Sequence, residues 1–224
     1  MKKLSLLVGG LVLSTAVMAQ KPDASVPSTL EGLISWNAST LSFDAPALRY
    51  RYFLQDNIAL RVTLGLDNMS TTDNYYEFGD GTGATGTWET ADNMFMFGIG
   101  GEYHFGGTDR LSPYGGLQIN LGMGKVTEDG ANGDNAGYVA DYTESYEAKS
   151  SMFGVSLVAG TDYYFAENFY MGLELGLGWN SYTTKESERT ISSGGVTVKS
   201  VTPESKSSFL NTGAVGTFRL GWRF

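Results

Sequence analysis

The chain ends in the stretch Phe209–Phe224, FLNTGAVGTFRLGWRF, whose residues alternate between two faces. One face carries no charge and consists of Phe224, Trp222, Leu220, Phe218, Gly216 and Ala214. The other face holds Arg223, Gly221, Arg219, Thr217, Val215, Gly213 and Asn211. A two-residue period with one apolar face predicts a half-buried β-strand. Because an exposed aromatic row on a strand promotes aggregation in water, we expect this row to face lipid.

The same period recurs in seven earlier segments that turn residues separate. They are Leu30–Trp36, Ala47–Leu54, Ile58–Asn68, Asn93–Phe105, Pro113–Lys125, Met152–Phe165 and Phe169–Tyr182. With the terminal strand they make eight, and single-chain bacterial membrane barrels have an even number. Past the amino terminus, no apolar run approaches the roughly 20 residues of a membrane helix. The predicted fold is all-β: an eight-stranded antiparallel up-and-down transmembrane β-barrel with a polar, filled lumen.

Short and long connections alternate along the chain. The short ones lie at Asp56–Asn57, Gly106–Ser112 and Ala166–Asn168, and the predicted outer loops at Asn37–Pro46, Ser70–Asp92, Val126–Ser150 and Thr184–Ser207. Short periplasmic turns with long extracellular loops are typical of outer-membrane barrels. Aromatic residues on the apolar face cluster beside the short turns and predict a periplasmic girdle. They are Tyr103, Phe105, Tyr163, Phe165, Phe169, Trp222 and Phe224.

The amino terminus resembles a secretory signal. Lys2 and Lys3 precede an apolar run that ends before Ala19, which predicts a signal peptide over residues 1–19 and a barrel domain over residues 20–224. An uncleaved membrane anchor is the alternative. The chain contains no cysteine, so neither lipoprotein processing nor a disulfide is expected. Without the two lysines, 13 basic and 24 acidic residues leave a net charge of −11, which argues against a nucleic-acid partner.

The face opposite the apolar one carries almost every charge of the predicted strands. Its members are Arg49, Arg51, Arg61, Glu102, Asp162, Glu174, Arg219 and Arg223, and Glu31, Asp67 and His104 are expected to join them. A soluble barrel of lipocalin type would turn this face to water, but the signal segment and the aromatic strand ends favour a membrane barrel. Since side chains fill an eight-stranded barrel, the charges should pair and plug the lumen as a structural network.

The chain resembles the family of eight-stranded outer-membrane barrels typified by the OmpA transmembrane domain and OmpX. The resemblance rests on Tyr50–Leu54, Asp56–Arg61 and Gly221–Phe224, and it covers the mature chain. It implies an outer-membrane location, contact with outer-membrane lipid, and a terminal signal, Trp222 and Phe224, that the barrel insertion machinery reads. Arg219 stands where the family usually has glycine. No cell-wall-binding domain follows the last strand, so cell-wall tethering is not expected.

Members of that family stabilise the envelope or act as adhesins and virulence surface proteins. The resemblance therefore implies a non-enzymatic protein that serves envelope structure or surface interaction, with a host or surface ligand bound through its extracellular loops. A small-solute channel or transporter of the outer membrane is the alternative.

No catalytic, cofactor or metal site is predicted. The only histidine, His104, precedes Phe105 beside a short turn, far from the outer leaflet where barrel enzymes acting on lipid A work. A lumen histidine paired with a carboxylate is therefore the expectation. The acidic stretch Asp129–Asp134 lacks the ligand spacing of a calcium-binding loop.

Overall fold

The structure is a computed structural model that describes residues 25–36, 47–76, 81–82, 85–132 and 142–224. These residues form ten strands: β1 (Ser28–Trp36), β2 (Ala47–Gln55), β3 (Ile58–Tyr76), β4 (Thr85–His104), β5 (Leu111–Asn132), β6 (Thr143–Ala166), β7 (Phe169–Thr184), β8 (Ser187–Ser193), β9 (Val196–Thr202) and β10 (Ser205–Arg223). The predicted signal peptide and the predicted Asn37–Pro46 loop lie outside the described residues. Within the described ranges, no helix has the length and hydropathy needed to cross a membrane.

Eight of the strands close into a ring. Strands β1 to β7 each pair with the next in antiparallel fashion, β7 pairs with β10, and β10 returns to β1. In the closing ladder Trp222 lies opposite Leu30, and Phe218 lies opposite Ile34. Closure removes the strand edges that lipid would leave without hydrogen-bond partners. The predicted eight-stranded, up-and-down barrel is confirmed.

The outer surface of the ring is apolar and its interior is polar. Along β7, Leu173 and Leu175 are 49% and 54% exposed, whereas the intervening Glu174 is 6% exposed. The same alternation runs through the other strands of the barrel. Aromatic side chains lie on the outer surface at the end with the short turns, and Trp222 and Phe224 are among them. An apolar exterior that surrounds the whole ring is the surface that lipid requires.

Three of the predicted outer loops are largely strands, so that part of the prediction was wrong. They are Ser70–Asp92, Val126–Ser150 and Thr184–Ser207. The β3–β4 ladder continues to the Tyr76–Thr85 pair, and the β5–β6 ladder continues to the Ala131–Thr143 pair. The strands β3 to β6 therefore have 19 to 24 residues, against the roughly 9–11 that cross a bilayer. The sheet extends well beyond the membrane on the side away from the short turns.

The segment Thr184–Ser207 contains a hairpin, β8–β9, that pairs with the first five residues of β6, Thr143–Glu147. Its two-residue turn, Gly194–Gly195, has φ angles of +57° and +77°. Both residues adopt the left-handed conformation that a type I′ hairpin turn requires and that glycine adopts without steric cost. A Gly-Gly pair between two β-branched segments is a hairpin signal, and it was the sequence feature that could have predicted β8 and β9.

The terminal strand is longer and less regular than its sequence predicts. It begins at Ser205 rather than Phe209. Between Asn211 and Val215 the β10 ladder shifts, since these residues pair with Gly178 and Gly176 of β7. Two extra residues on β10 therefore form a bulge. Because their number is even, the two-residue period resumes with the same facing towards the carboxyl end.

Candidate functional site

Four arginines and four carboxylates meet inside the barrel, where their opposite charges are equal in number. The arginines are Arg49 and Arg51 on β2, Arg61 on β3 and Arg219 on β10. The carboxylates are Glu31 on β1, Glu102 on β4, Asp162 on β6 and Glu174 on β7. All eight side chains are buried. We call them the lumen network.

Glu174 is the centre of the upper part of the lumen network, where upper means farther from the short turns. Its two oxygens accept hydrogen bonds from Arg49 at 2.9 and 3.1 Å and from Arg61 at 2.9 Å each. Tyr114 donates its hydroxyl to Oε2 at 2.5 Å. Arg61 also donates from Nε to the side chain of Gln118 at 2.6 Å. Bidentate arginine–carboxylate contacts of this kind are the strong, directional form of the ion pair.

Arg51 occupies the lower part of the lumen network and is fully buried. Its guanidinium contacts Glu31 at 3.0 Å, Glu102 at 2.9 Å and Asp162 at 2.7 Å. Arg219 joins two of the same carboxylates, Glu31 at 2.9 Å and Asp162 at 2.6 Å. Each carboxylate is shared by at least two guanidiniums, so the network is continuous across the lumen.

Buried tyrosines complete the network, and the predicted set did not contain them. Tyr170 donates to Glu31 Oε1 at 2.8 Å, and the Arg51 guanidinium lies 5.2 Å from the centre of the same ring. Arg219 lies 5.0 Å from the centre of the Tyr114 ring. The hydroxyl groups of these tyrosines therefore hydrogen-bond to carboxylates, and their rings make cation–π contacts with guanidiniums. Glu31, which was only expected to join, is a full member, and the inward facing of Tyr170 followed from the period of β7.

Two other predicted lumen residues lie apart from the lumen network. Arg223 is buried at the short-turn end, and its Nε donates to the carbonyl oxygen of Val26 at 3.1 Å. Asp67 is exposed, so its expected place among the lumen charges was wrong. Strand β2 begins at Ala47, which pairs with Gly65. Asp67 therefore lies two residues beyond the β2–β3 ladder of the described residues.

His104 lies in a serine–histidine–carboxylate arrangement. Its Nδ1 is 2.8 Å from Ser112 Oγ, and its Nε2 is 3.3 Å from Glu102 Oε2. Ser112 is fully buried, and Glu102 also accepts from Arg51 and Arg61. A nucleophile needs access to a substrate and donors for the developing oxyanion. This serine is enclosed at the short-turn end of the lumen, so the arrangement can hold the ring in place but offers no path for a substrate.

Above the lumen network the barrel contains a cavity of about 350 Å³. Arg49, Arg61 and Glu174 line its floor, while Met96, Met152 and other uncharged residues line its walls. The cavity lies on the side of the extended strands, and the fully buried Arg51 and Arg219 lie below it. The interior therefore consists of this cavity and, below it, a layer of paired charges.

A second charged cluster lies in the part of the sheet beyond the membrane. Arg189 of β8 donates to Glu128 at 2.8 Å and to Glu144, and its guanidinium lies 4.5 Å from the centre of the Tyr146 ring. Tyr142 donates to the same Glu144. This bond and Arg189 lower the pKa of Glu144, and the bond raises the pKa of Tyr142 to about 12. The cluster attaches the β8–β9 hairpin to β5 and β6.

Within the described part of the chain, no three side chains of aspartate, glutamate or histidine are arranged so that they could hold a metal ion together. Residues Asp129–Asn132 of the acidic stretch lie in β5 rather than in a loop. The remainder of that stretch lies outside the described residues.

An apolar exterior around a closed eight-stranded ring, with paired charges inside, defines an outer-membrane β-barrel protein. The chain belongs to the OmpA-OmpF-like porin family, whose match covers residues 33–224. It is located in the outer membrane, as the family and the fold require. None of the curated proteins compared with the chain matches it.

Several solved barrels are similar to this chain at low identity. The N-terminal barrel domain of Pseudomonas aeruginosa OprF is 18% identical, with a TM-score of 0.35, over 92% of this chain and all of that domain. Acinetobacter baumannii CarO is 12% identical, with a TM-score of 0.38, over 91% of this chain and 99% of its own. The attachment invasion locus protein Ail of Yersinia pestis is 16% identical, with a TM-score of 0.32, over 88% and 97% of the two chains.

Proposed function

We propose that this protein is a non-enzymatic outer-membrane barrel with a closed lumen, which serves envelope structure and surface interaction. The observation that carries the proposal is the layer formed by Arg51, Arg61 and Arg219, each at most 1% exposed. Their carboxylate partners come from β1, β4, β6 and β7. The interior of an eight-stranded barrel is just wide enough for side chains to fill it, so at the level of this layer the paired groups occupy the space that a diffusing solute would need.

The surface role is assigned to the sheet that extends beyond the membrane. The hairpin β8–β9 is fixed to this extension through Arg189, and β9 presents exposed Val196, Val198 and Val201. A rigid extension that carries exposed β-branched residues is a better platform for a protein partner than solvated loops. We therefore place the contact with a host or surface ligand on this extension.

Non-enzymatic function is supported by the interior chemistry. Among the described residues, the arrangement that resembles a catalytic triad contains Ser112, which is fully buried. Glu102 also binds two guanidiniums there, which is typical of a structural ion-pair network rather than of a general-base relay.

The alternative function is a small-solute channel, and the cavity of about 350 Å³ above the lumen network favours it. For this function Arg49 and Arg61 would have to release Glu174 and open the floor of the cavity. Such a movement would break four hydrogen bonds that involve charged groups, each of which contributes about 1.5–3 kcal/mol. The closed state is therefore the expected ground state.

Planar-bilayer recording of the purified, folded protein distinguishes the two functions. We expect no steady single-channel conductance for the wild type. As a positive control, the double variant Arg51→Ala with Asp162→Ala removes a guanidinium and a carboxylate together and should conduct more than the wild type. Steady conductance of the wild type at neutral pH would refute the closed lumen and support the channel.

A further inference from the structure

The described lysines occupy a different place from the arginines of the lumen network. Five lysines lie within the described residues, and strand pairing brings four of them near one another, with Lys206 opposite Thr183, two residues before Lys185. These four, Lys125, Lys149, Lys185 and Lys206, are called the lysine row. The fifth, Lys199, lies on the β8–β9 hairpin. Segregation of one cation type inside the barrel and another at its outer rim calls for an explanation beyond general solubility.

Strand register places the lysine row directly above the last apolar residues of the barrel. Lys125 pairs with Lys149 across β5 and β6, and the Lys185 amide donates to the carbonyl oxygen of Lys149 at 2.8 Å. Two positions closer to the short turns on β5 lies Met123, which is 66% exposed and pairs with Phe95 of β4. The ammonium groups therefore follow the apolar surface without an interval of other charges on β5.

The height of the lysine row matches the headgroup region of a bilayer. Along β7 and the residue that follows it, sixteen positions separate Phe169, a member of the predicted girdle, from Lys185. At about 3.3 Å per residue and a tilt of about 40°, this distance is about 40 Å along the barrel axis. A bilayer with its headgroups is about 40–45 Å thick. If Phe169 lies at the periplasmic headgroups, Lys185 lies at those of the outer leaflet.

Three members of the lysine row pair with carboxylates and still remain partly exposed, although the chain as a whole has a net charge of −9. Lys125 and Lys149 contact the two oxygens of the same carboxylate, Glu147, at 2.8 and 3.0 Å. Lys185 contacts Glu204 at 3.4 Å. Three ammonium groups thus contact two carboxylates, and these lysine side chains are 47–66% exposed. They remain accessible to a further anion.

A depression of about 710 Å³ adjoins the lysine row. Phe95, Met123 and the aliphatic neighbour Leu66 contribute apolar surface to it. Its charged lining consists of three lysines, Lys125, Lys149 and Lys185, and one carboxylate, Asp67, so positive charge predominates. We propose that this surface binds the phosphorylated headgroup of an outer-leaflet lipid, with the acyl chains against Phe95 and Met123. The long lysine stems can extend along the apolar surface while their ammonium groups reach phosphate oxygens.

The test compares the wild type with the variant Lys125→Gln/Lys149→Gln/Lys185→Gln, reconstituted in phosphatidylcholine vesicles with or without diphosphoryl lipid A. Native mass spectrometry then measures the lipid A retained by the released protein. We expect roughly a fivefold loss of retained lipid for each lysine removed, which is the effect of one basic residue beside an anionic surface. The matched control is Lys199→Gln, which removes an exposed lysine that pairs with Glu188 at 2.6 Å, and it should retain lipid A as the wild type does.

Folding is followed in parallel by the gel mobility of unboiled samples in both vesicle types. Equal retention by the triple variant and the wild type would overturn the proposal. An equal loss caused by Lys199→Gln would also overturn it, because the effect would then reflect net charge. A triple variant that is destabilised to the same extent with and without lipid A, and that retains lipid A normally, would assign the lysine row to intramolecular pairing alone. These outcomes do not depend on whether the lumen conducts.

Discussion

Arg51 donates to Asp162 at 2.7 Å across the full width of the barrel. The strands β2 and β6 that carry these residues are four strands apart along either path around the ring. Backbone ladders connect neighbouring strands only, so contacts of this kind are what fixes opposite walls of the barrel to each other. The interior charges therefore stabilise the cross-section of the barrel.

Replacement of Glu174 by alanine should destabilise the barrel strongly. The change leaves Arg49 and Arg61 without the carboxylate that both of them contact. Loss of one partner from a buried ion pair costs about 3–5 kcal/mol. Urea unfolding of the protein in lipid vesicles measures this free energy. Asp67→Ala is the control, because Asp67 is an exposed carboxylate of the same face. A Glu174→Ala midpoint equal to that of the wild type would show that the network is not stabilising.

Gly221→Ala should also destabilise the barrel, for a steric reason. Gly221 pairs with Tyr170 across β10 and β7, and a methyl group at this position would overlap the Tyr170 ring. The ring would have to move away from Glu31, its hydrogen-bond acceptor. Overpacking of this kind costs about 1–3 kcal/mol.

Gly32→Ala is the matched control for Gly221→Ala. Gly32 is also a strand glycine, in β1, but nothing lies within 4 Å of the position that its methyl group would occupy. In the same unfolding experiment, Gly32→Ala should change the free energy of unfolding by about 0.5 kcal/mol or less. Equal effects of the two substitutions would mean that strand propensity, and not the Tyr170 contact, decides the outcome.

Attachment of the β8–β9 hairpin should weaken in acid. Glu144 accepts a hydrogen bond from Tyr142 and contacts Arg189, and both interactions lower the pKa of Glu144 in the folded protein. A carboxylate with a lowered pKa contributes stability above its ordinary pKa of about 4.3 and loses that contribution as the pH falls through the lowered value. Hydrogen exchange of the β8 amides, corrected for intrinsic rates, should therefore show less protection below about pH 4 than at pH 7.

The variant Arg189→Gln is the control for the acid effect. It removes the cation that joins Glu144 and Glu128, so protection of β8 should already be low at pH 7 and should change less in acid. Unchanged protection of β8 in the wild type between the two pH values would contradict the role of this cluster.

Deletion of Phe224 should impair assembly more than stability. The Phe224 and Trp222 rings are 4.8 Å apart on the outer surface, and both are about half exposed, so they contribute little to the interior. If the insertion machinery reads them, the variant should be depleted from the outer-membrane fraction of cells and yet refold in detergent as the wild type does. Equal losses in cells and in detergent would assign these residues a structural role only.

The facing of the strands could be predicted from the sequence, and the loops could not. In the membrane the two sides of a strand meet lipid and a polar lumen, so apolar and polar residues must alternate. Beyond the membrane both sides of β3 and β4 meet water. The segment from Ser70 to Tyr76 therefore has no apolar period, although it forms a regular ladder with β4. Its threonines and tyrosines favour strands, but this preference is weaker evidence than alternation.

The members of the lumen network could largely be predicted, but their pairing could not. Period alone places Glu31, Arg49 and Glu174 on the inner face. Which of them meet depends on the register of all eight strands, and a shift of one residue would turn a side chain to the other face. Register also decides the exceptions: Asp67 lies two residues beyond the Ala47–Gly65 pair of the β2–β3 ladder and is exposed. No local pattern in the sequence carries that information.

The distribution of the interior charges over the strands has a consequence for biogenesis. The β2–β3 hairpin carries three guanidiniums, the β6–β7 hairpin carries two carboxylates, and the two strands of the closing ladder contribute Glu31 and Arg219. Either hairpin alone would bring uncompensated charge into lipid, and Glu102 of β4 completes the equal numbers of the lumen network only in the full ring. Insertion of one hairpin at a time would therefore leave these charges unpaired until the first and last strands meet.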